Sequence, residues 1–214
     1  IMRAGKGHKY WHNFSQEIQE SIETLASSIN RLLFDPIIQR PIKTLDLPIC
    51  DRNNNILTLV YEFVSFVNND TKEEDDLTGE ATIRSLKRTE RMVQLFSSVA
   101  PCSYGLHPLL YCYSNKGNFR PASFYGAIEF IRTLDTNPAI LKSFIEQRKN
   151  FEDFIFEVYI QEAYKKAPRC AICGGLLHTH SISIDHIQRK RDGGLGCVEN
   201  GQLTHPYCNT GVKN

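Results

Sequence analysis

The stretch SIDHIQRKRDGGLGCVENGQLTHPYCN, Ser183 to Asn209, holds His186, His205, Cys197, Cys208, Asn200, Asn209 and an Asp185-His186 pair. Just upstream, Cys170-Ala171-Ile172-Cys173 is followed by Gly174-Gly175. Two thiolates two residues apart, with glycines that permit a tight turn, form half of a zinc site. A closed structural site needs four ligands, and His205-x-x-Cys208 offers two more at matching spacing. Cys3His is an established structural zinc set. Cys197 is the rival fourth ligand, in place of His205, and spacing alone leaves both open. A thioredoxin-like redox pair needs a strand–helix junction inside a βαβ unit, which the surrounding sequence does not supply. Zinc is therefore the expected occupant.

A terminal module of about 45 residues buries little apolar surface. Bound zinc contributes roughly 10–16 kcal/mol of apparent folding energy in comparable small fingers. That accounts for the cysteines, not for what lies between them. In Ser181–Ile187 an alternating strand puts Ile182, Ile184 and His186 on one face and Ser183, Asp185 and Ile187 on the other. The residue types suit metal-dependent phosphodiester hydrolysis. A hard cation takes oxygen ligands such as an Asp carboxylate and an Asn carbonyl. An imidazole near its natural pKa can take a proton from water.

The rest of the chain is ordinary in bulk. It has 214 residues, 41% hydrophobic and 23% charged, as in a soluble globular protein. No apolar run reaches the roughly 18 residues of a membrane span, and the first residues lack the apolar core of a signal peptide. A cytoplasmic protein with no membrane partner is expected. The chain begins Ile1-Met2, so a fragment of a longer protein is an open reading. The net charge of +1 is uneven. Residues 165–214 hold seven Lys/Arg against three Asp/Glu, a balance of +4, and the other residues sum to −3. A basic module suits a polyanion. Of the seven cysteines, Cys50, Cys102 and Cys112 stand in apolar surroundings and read as small buried hydrophobes.

Residues 1–164 read as mainly helical. Ile18, Ile22, Leu25, Ile29 and Leu32 mark one stripe of a helix over about 15–34, with Asn13 and Gln16 as a capping-box variant. Prolines 36, 41 and 48 make DPIIQRPIKTLDLP an irregular connection. ILTLVYEFVSFV (56–67) suits a buried helix or a strand, and NNDTKEEDD (68–76) a surface loop and hinge. Ile83 through Val99 mark a further helix before Pro101. Phe124–Leu134 and Ala139–Ala163 supply two more, the second capped by Asn137 with Pro138 in its first turn. His107, Lys116 and Arg120 flank a glycine loop that suits either an ordinary basic turn or a phosphate contact. KGHKYWH at the start could stack on bases. His178 and His180 are expected on one side of a strand or hairpin.

The order C-x2-C, DHI, GG, ENGQL, H-x2-C-N resembles the HNH endonucleases, whose fold is the ββα-metal finger; the likeness covers 170–214. It implies a DNA-cutting enzyme with structural Zn2+ on Cys170, Cys173, His205 and Cys208, and catalytic Mg2+ or another divalent cation on Asp185 and Asn209. His186 would be the general base. Asn200 would hold the active-site loop and orient the His186 ring. Arg189, Lys190 and Arg191 would pair with phosphates. Two departures stand out: Asn209 occupies the place of the last motif histidine, and His205 that of a third zinc cysteine. LHPLLYCYSNKGNFRPASF and LFDPIIQRPIKTLDLP resemble the helical region before the HNH module of some bacterial anti-phage restriction proteins. Those carry an upstream ParB-like nucleotide-hydrolysing domain, so such a domain or a homo-oligomer is an expected partner besides DNA. The expectation is thus a mainly α domain (1–164) followed by a zinc-bound ββα-metal module (165–214). A non-catalytic zinc-knuckle nucleic-acid binder is the alternative.

Overall fold

The structure is a computed structural model that describes residues 14–34, 47–51, 55–69, 76–114, 116–159 and 167–212. Asn13, the KGHKYWH start, prolines 36 and 41, most of the 68–76 run and residues 160–163 of the last expected helix lie outside them. Among the described residues, six α-helices are followed by one small antiparallel sheet. The helices are α1 (Gln16–Phe34), α2 (Ile56–Val67), α3 (Glu80–Phe96), α4 (Pro108–Cys112), α5 (Pro121–Thr136) and α6 (Pro138–Tyr159). The strands are β1 (Ser183–His186) and β2 (Gly201–Thr204). No helix among the described residues is long and apolar enough to cross a membrane.

Apolar periodicity sets the helical packing. Ile22, Ile29 and Leu33 are buried on α1, with Ile18, Leu25 and Leu32 packed beside them. That stripe lies along α3, which also packs on α2 and α5. At the start of α1, the Ser15 hydroxyl accepts from the Ile18 N–H. The 56–67 segment is a helix, begun by Asn55, whose side chain accepts from the Thr58 N–H. The Asn137 carboxamide likewise receives the Ala139 and Ile140 amides, so the cap expected before Pro138 is present. α3 stops at Phe96, and Val99 lies beyond it, exposed, rather than on the helix. The chain turns back there: the Tyr104 and Leu106 amides donate to the Leu95 and Phe96 carbonyls. Two of the last carbonyls, which no helix can satisfy internally, are thereby paired.

His107 is buried and its Nδ1 accepts from the Leu109 N–H, capping the short α4. This corrects the idea of a phosphate contact at His107. The following loop is a tight turn, with a bridge between Tyr113 and Phe119 and Gly117 at a φ of 77°. Cys50 and Cys112 are buried as expected, whereas Cys102 is half-buried.

Contacts cross the expected 164/165 boundary at several points. The Ser103 and Ser181 hydroxyls share a hydrogen bond, and the Tyr207 N–H donates to the Ser103 carbonyl. Thr210 donates to the Pro101 carbonyl, and Tyr207 packs edge-on against Tyr104. The expected strand or hairpin position of His178 and His180 is corrected. They flank and enter a short 3-10 turn, Thr179–Ser181. His178 is buried between the Ser97 hydroxyl at 2.8 Å and the Leu47 carbonyl at 2.7 Å.

Candidate metal centre

Cys170, Cys173, His205 and Cys208 converge. One ligand atom from each lies within 4.8 Å of all the others, and all four residues are buried. The group can hold a metal ion such as zinc. Cys170 and Cys173 sit on a tight turn closed by the Gly174 N–H on the Cys170 carbonyl and the Cys170 N–H on the Gly175 carbonyl. Gly174 has a φ of 70°, a left-handed conformation that side chains resist. At Gly175 a Cβ would overlap the Arg148 side chain. The two glycines after the knuckle are therefore required, one by backbone geometry and one by close approach.

The histidine is oriented for ligation. Its Nε2 lies 2.8 Å from the Leu176 carbonyl. A carbonyl only accepts, so Nε2 carries the proton and the Nδ1 lone pair faces the sulfurs. Cys173 Sγ is 3.3 Å and Cys208 Sγ 3.9 Å from Nδ1. The His205 backbone N–H points at Cys170 Sγ, 3.4 Å away. A second hydrogen bond that fixes tautomer and ring angle is the usual support of a metal-bound imidazole. Cys197 is exposed on the far loop and is not in the group. The fourth position, left open by spacing, is filled by His205.

The acidities point the same way. Hydrogen bonds from the Cys173 and Cys208 thiols, together with His205, hold the Cys170 thiol far below its ordinary range. The Cys208 thiol is pushed far up because it donates to Cys170 and Cys173. A divalent ion lets all three ionise.

The centre rests on a buried ion pair from α6. Arg148 and Glu152, both 0% exposed, meet at 2.8 Å. Arg148 also donates to the Tyr104 and Gly105 carbonyls at 2.6 and 2.7 Å, and its Nη1 lies 3.2 Å from His205 Nδ1. Glu152 accepts from the Leu176 N–H at 2.6 Å and from the Tyr111 hydroxyl at 3.1 Å. Sequence reading missed this pair, because an i,i+4 Arg–Glu spacing is what exposed helix faces also show.

The hairpin next to the cluster carries the other expected residues. β1 and β2 pair Ser183 with Thr204, Ile184 with Leu203, Asp185 with Gln202 and His186 with Gly201. Asp185 is 6% exposed while Ile184 is 71% exposed, so the acidic face is the buried one. Gln202 Nε2 donates to Asp185 Oδ2 at 2.7 Å. Asn209, which follows Cys208, donates its amide nitrogen to Ser183 Oγ at 2.7 Å and to the Ile184 carbonyl at 3.3 Å. A carbonyl only accepts, so the amide nitrogen of Asn209 is the atom that meets β1. Asp185 and Asn209 thus share one side of the hairpin. Strand alternation assigns His186 to the other, and it is half-buried at the strand end.

Asn200 spans the loop between the strands. Its Oδ1 accepts from the Gln188 N–H, and its Nδ2 donates to the Gln188 and Leu195 carbonyls. These three bonds tie the loop to itself, and none of the three is to the His186 ring, which Asn200 is also expected to orient. Arg189 is half-buried, and Lys190 and Arg191 are exposed, in or beside a 3-10 turn at Lys190–Asp192. After β2 the chain continues through helical turns over Pro206–Val212. No protein-family model, no curated protein and no solved structure matches the chain.

Proposed function

We propose that the chain is a metal-dependent DNA endonuclease whose C-terminal part is a zinc-stapled ββα-metal module. The observation that supports the reading is that two oxygen donors lie on the hairpin next to the Cys3His group. Asp185 is buried on the hairpin face that bears Ser183, and Asn209, adjacent to Cys208, bonds that same Ser183. The donor types suit a hard cation: a carboxylate and, on the same side of the hairpin, an amide whose nitrogen is engaged and whose oxygen would be the ligand. When bound, Mg2+ or a similar ion supplies positive charge to the scissile phosphate and the leaving oxygen.

The chain's own residues do the rest. Asp185 is fixed by Gln202 and Asn209 by Ser183, so both donors are held before substrate arrives. His186 accepts a proton from the water that attacks phosphorus, with loss of the leaving alkoxide. Asn200 keeps the following loop in one shape, and Arg189, Lys190 and Arg191 pair with backbone phosphates.

A second reading, a zinc module that binds nucleic acid without cutting it, is favoured by one observation. Asp185 and His186 fall on opposite faces of the hairpin. Plasmid nicking by the zinc-loaded chain separates the two. Cleavage should require Mg2+ or Mn2+ and fall by roughly 10²–10⁴-fold in His186→Ala, the usual worth of a general base. Cleavage that survives the substitution removes this mechanism; DNA binding with no cleavage in either metal favours the second reading.

A further inference from the structure

A cavity of about 310 Å3 opens among α4, α5 and α6. It shares no lining residue with the Cys3His group or the hairpin. Its size falls at the lower end of the roughly 300–1,000 Å3 of small-molecule sites. Four rings, those of Tyr111, Tyr113, Phe130 and Phe151, form its apolar wall. Both tyrosine hydroxyls are spent elsewhere, Tyr111 on Glu152 and Tyr113 on the Pro48 carbonyl. The tyrosines therefore bring rings, not O–H groups, to the cavity.

The α5 side of the cavity is kept open by a glycine that the fold does not need. Gly126 lies in the middle of α5, where glycine weakens a helix. Its φ is not positive, and a Cβ placed on it would meet nothing within 4 Å. Neither backbone geometry nor close packing thus requires it. What it does is leave the cavity wall without a side chain at that point.

The polar groups stand at one end. Arg120, exposed and just before α5, makes no ion pair or side-chain hydrogen bond among the described residues, and neither does the Ser123 hydroxyl one turn on. No Asp or Glu is among the lining residues. Phe130 is seven positions beyond Ser123, about 10 Å along the helix. The cavity is aromatic along its length and positive at the start of α5. A carboxylate or phosphate matches a guanidinium in charge and in shape, and aromatic rings pack well on aromatic rings, edge-on or offset. A cationic guest would find no partner and would meet Arg120.

We propose that this cavity binds a small aromatic acid, with its rings against Tyr111, Tyr113, Phe130 and Phe151 and its carboxylate or phosphate on Arg120 and Ser123. The site stands whether or not the chain cuts DNA, because it uses none of the residues assigned to the metal centre or to hydrolysis.

Calorimetric titration of the zinc-loaded full chain with naphthaleneacetate, its uncharged amide and naphthyl phosphate tests this. The acid should bind roughly three- to tenfold tighter than the amide, the worth of an ion pair at a partly open mouth. The order of the carboxylate and the phosphate tells which acid the site prefers. Arg120→Gln, at an exposed position, should bring acid and amide to equal affinity. Gly126→Leu should abolish binding of all three probes. Its unfolding midpoint should hold or rise, since leucine is the better helix former. Equal affinity for acid and amide in the wild type overturns the proposal. So does undiminished binding in Gly126→Leu, or a wild type that binds none of the three. Should Gly126→Leu fail to fold, the acid-to-amide ratio in Arg120→Gln decides: a ratio as in the wild type sinks the site, and a ratio of about one upholds it.

Discussion

His205 and Cys197 lie eight positions apart, and only contacts tell them apart as ligands. Spacing along a chain limits reach, but it does not say which group turns inward. The Leu176 carbonyl on Nε2 decides it, because it leaves Nδ1 facing the thiols. Cys197→Ser should keep one zinc per chain by elemental analysis, whereas His205→Ala and Cys208→Ser should lose it. Zinc lost from the Cys197 variant would overturn the ligand assignment. Asp185 was legible as a residue opposite Ile184, because strand alternation is fixed at two. That its face is the buried one was not legible, since apolar Ile184 looks like the inward residue. His178 was misplaced for a similar reason: its partners, Ser97 and the Leu47 carbonyl, are 81 and 131 residues away.

Helices with several turns of apolar periodicity were readable, and α1 and α2 start and end within a residue of the expected places. α4 was not, because five residues contain too few turns for a period. Asp76 shows a different blind spot. It ends a polar run that reads as surface loop, yet its carboxylate accepts from the Ala81 and Thr82 amides and the Thr82 hydroxyl. α3 needs this, since Gly79 at its N-cap has no side chain to offer. Gly79 in turn has a φ of 84°, and a Cβ there would press on Phe14 and Ile18 of the α1 region. Desolvation raises the Asp76 carboxyl, but the hydrogen bonds from Thr82, Ala81 and Gly79 outweigh it and leave it lowered. A lowered folded-state pKa means that the stabilisation is complete above the unfolded value of about 4. It fades as pH falls through the folded value. Asp76→Ala should cost about 1 kcal/mol at pH 7, the worth of a helix cap. In urea unfolding, that cost should shrink as the pH is taken below about 4; a cost that stays constant with pH would show that the carboxylate charge plays no part.

At the scale of the whole molecule, the metal centre and the helices share a wall. Arg148 and Glu152 reach from α6 to the Tyr104–Gly105 carbonyls, to Leu176 and to His205 without exposing a charge to water. A division into a helical part and a small metal part follows the sequence pattern, but it does not predict this wall. Every partner of Arg148 except Glu152 is distant in sequence. A zinc ion with three thiolates and a neutral imidazole carries a net charge of −1. Arg148 is the cation placed beside it; burial works against its charge, and Glu152, followed by the nearby Cys173 sulfur, more than offsets that. Removing one member of a buried pair strands the other, at about 3–5 kcal/mol, whereas replacing both with apolar groups is often nearly neutral. Glu152→Ala should therefore unfold at lower urea by about that amount. A double variant, Arg148→Met with Glu152→Leu, should recover most of the stability. It should still release zinc to a chelator faster than wild type, because the cation beside the thiolates is gone. Equal zinc retention in the double variant and wild type would show that Arg148 serves packing alone, and that the charge of the metal centre is balanced elsewhere.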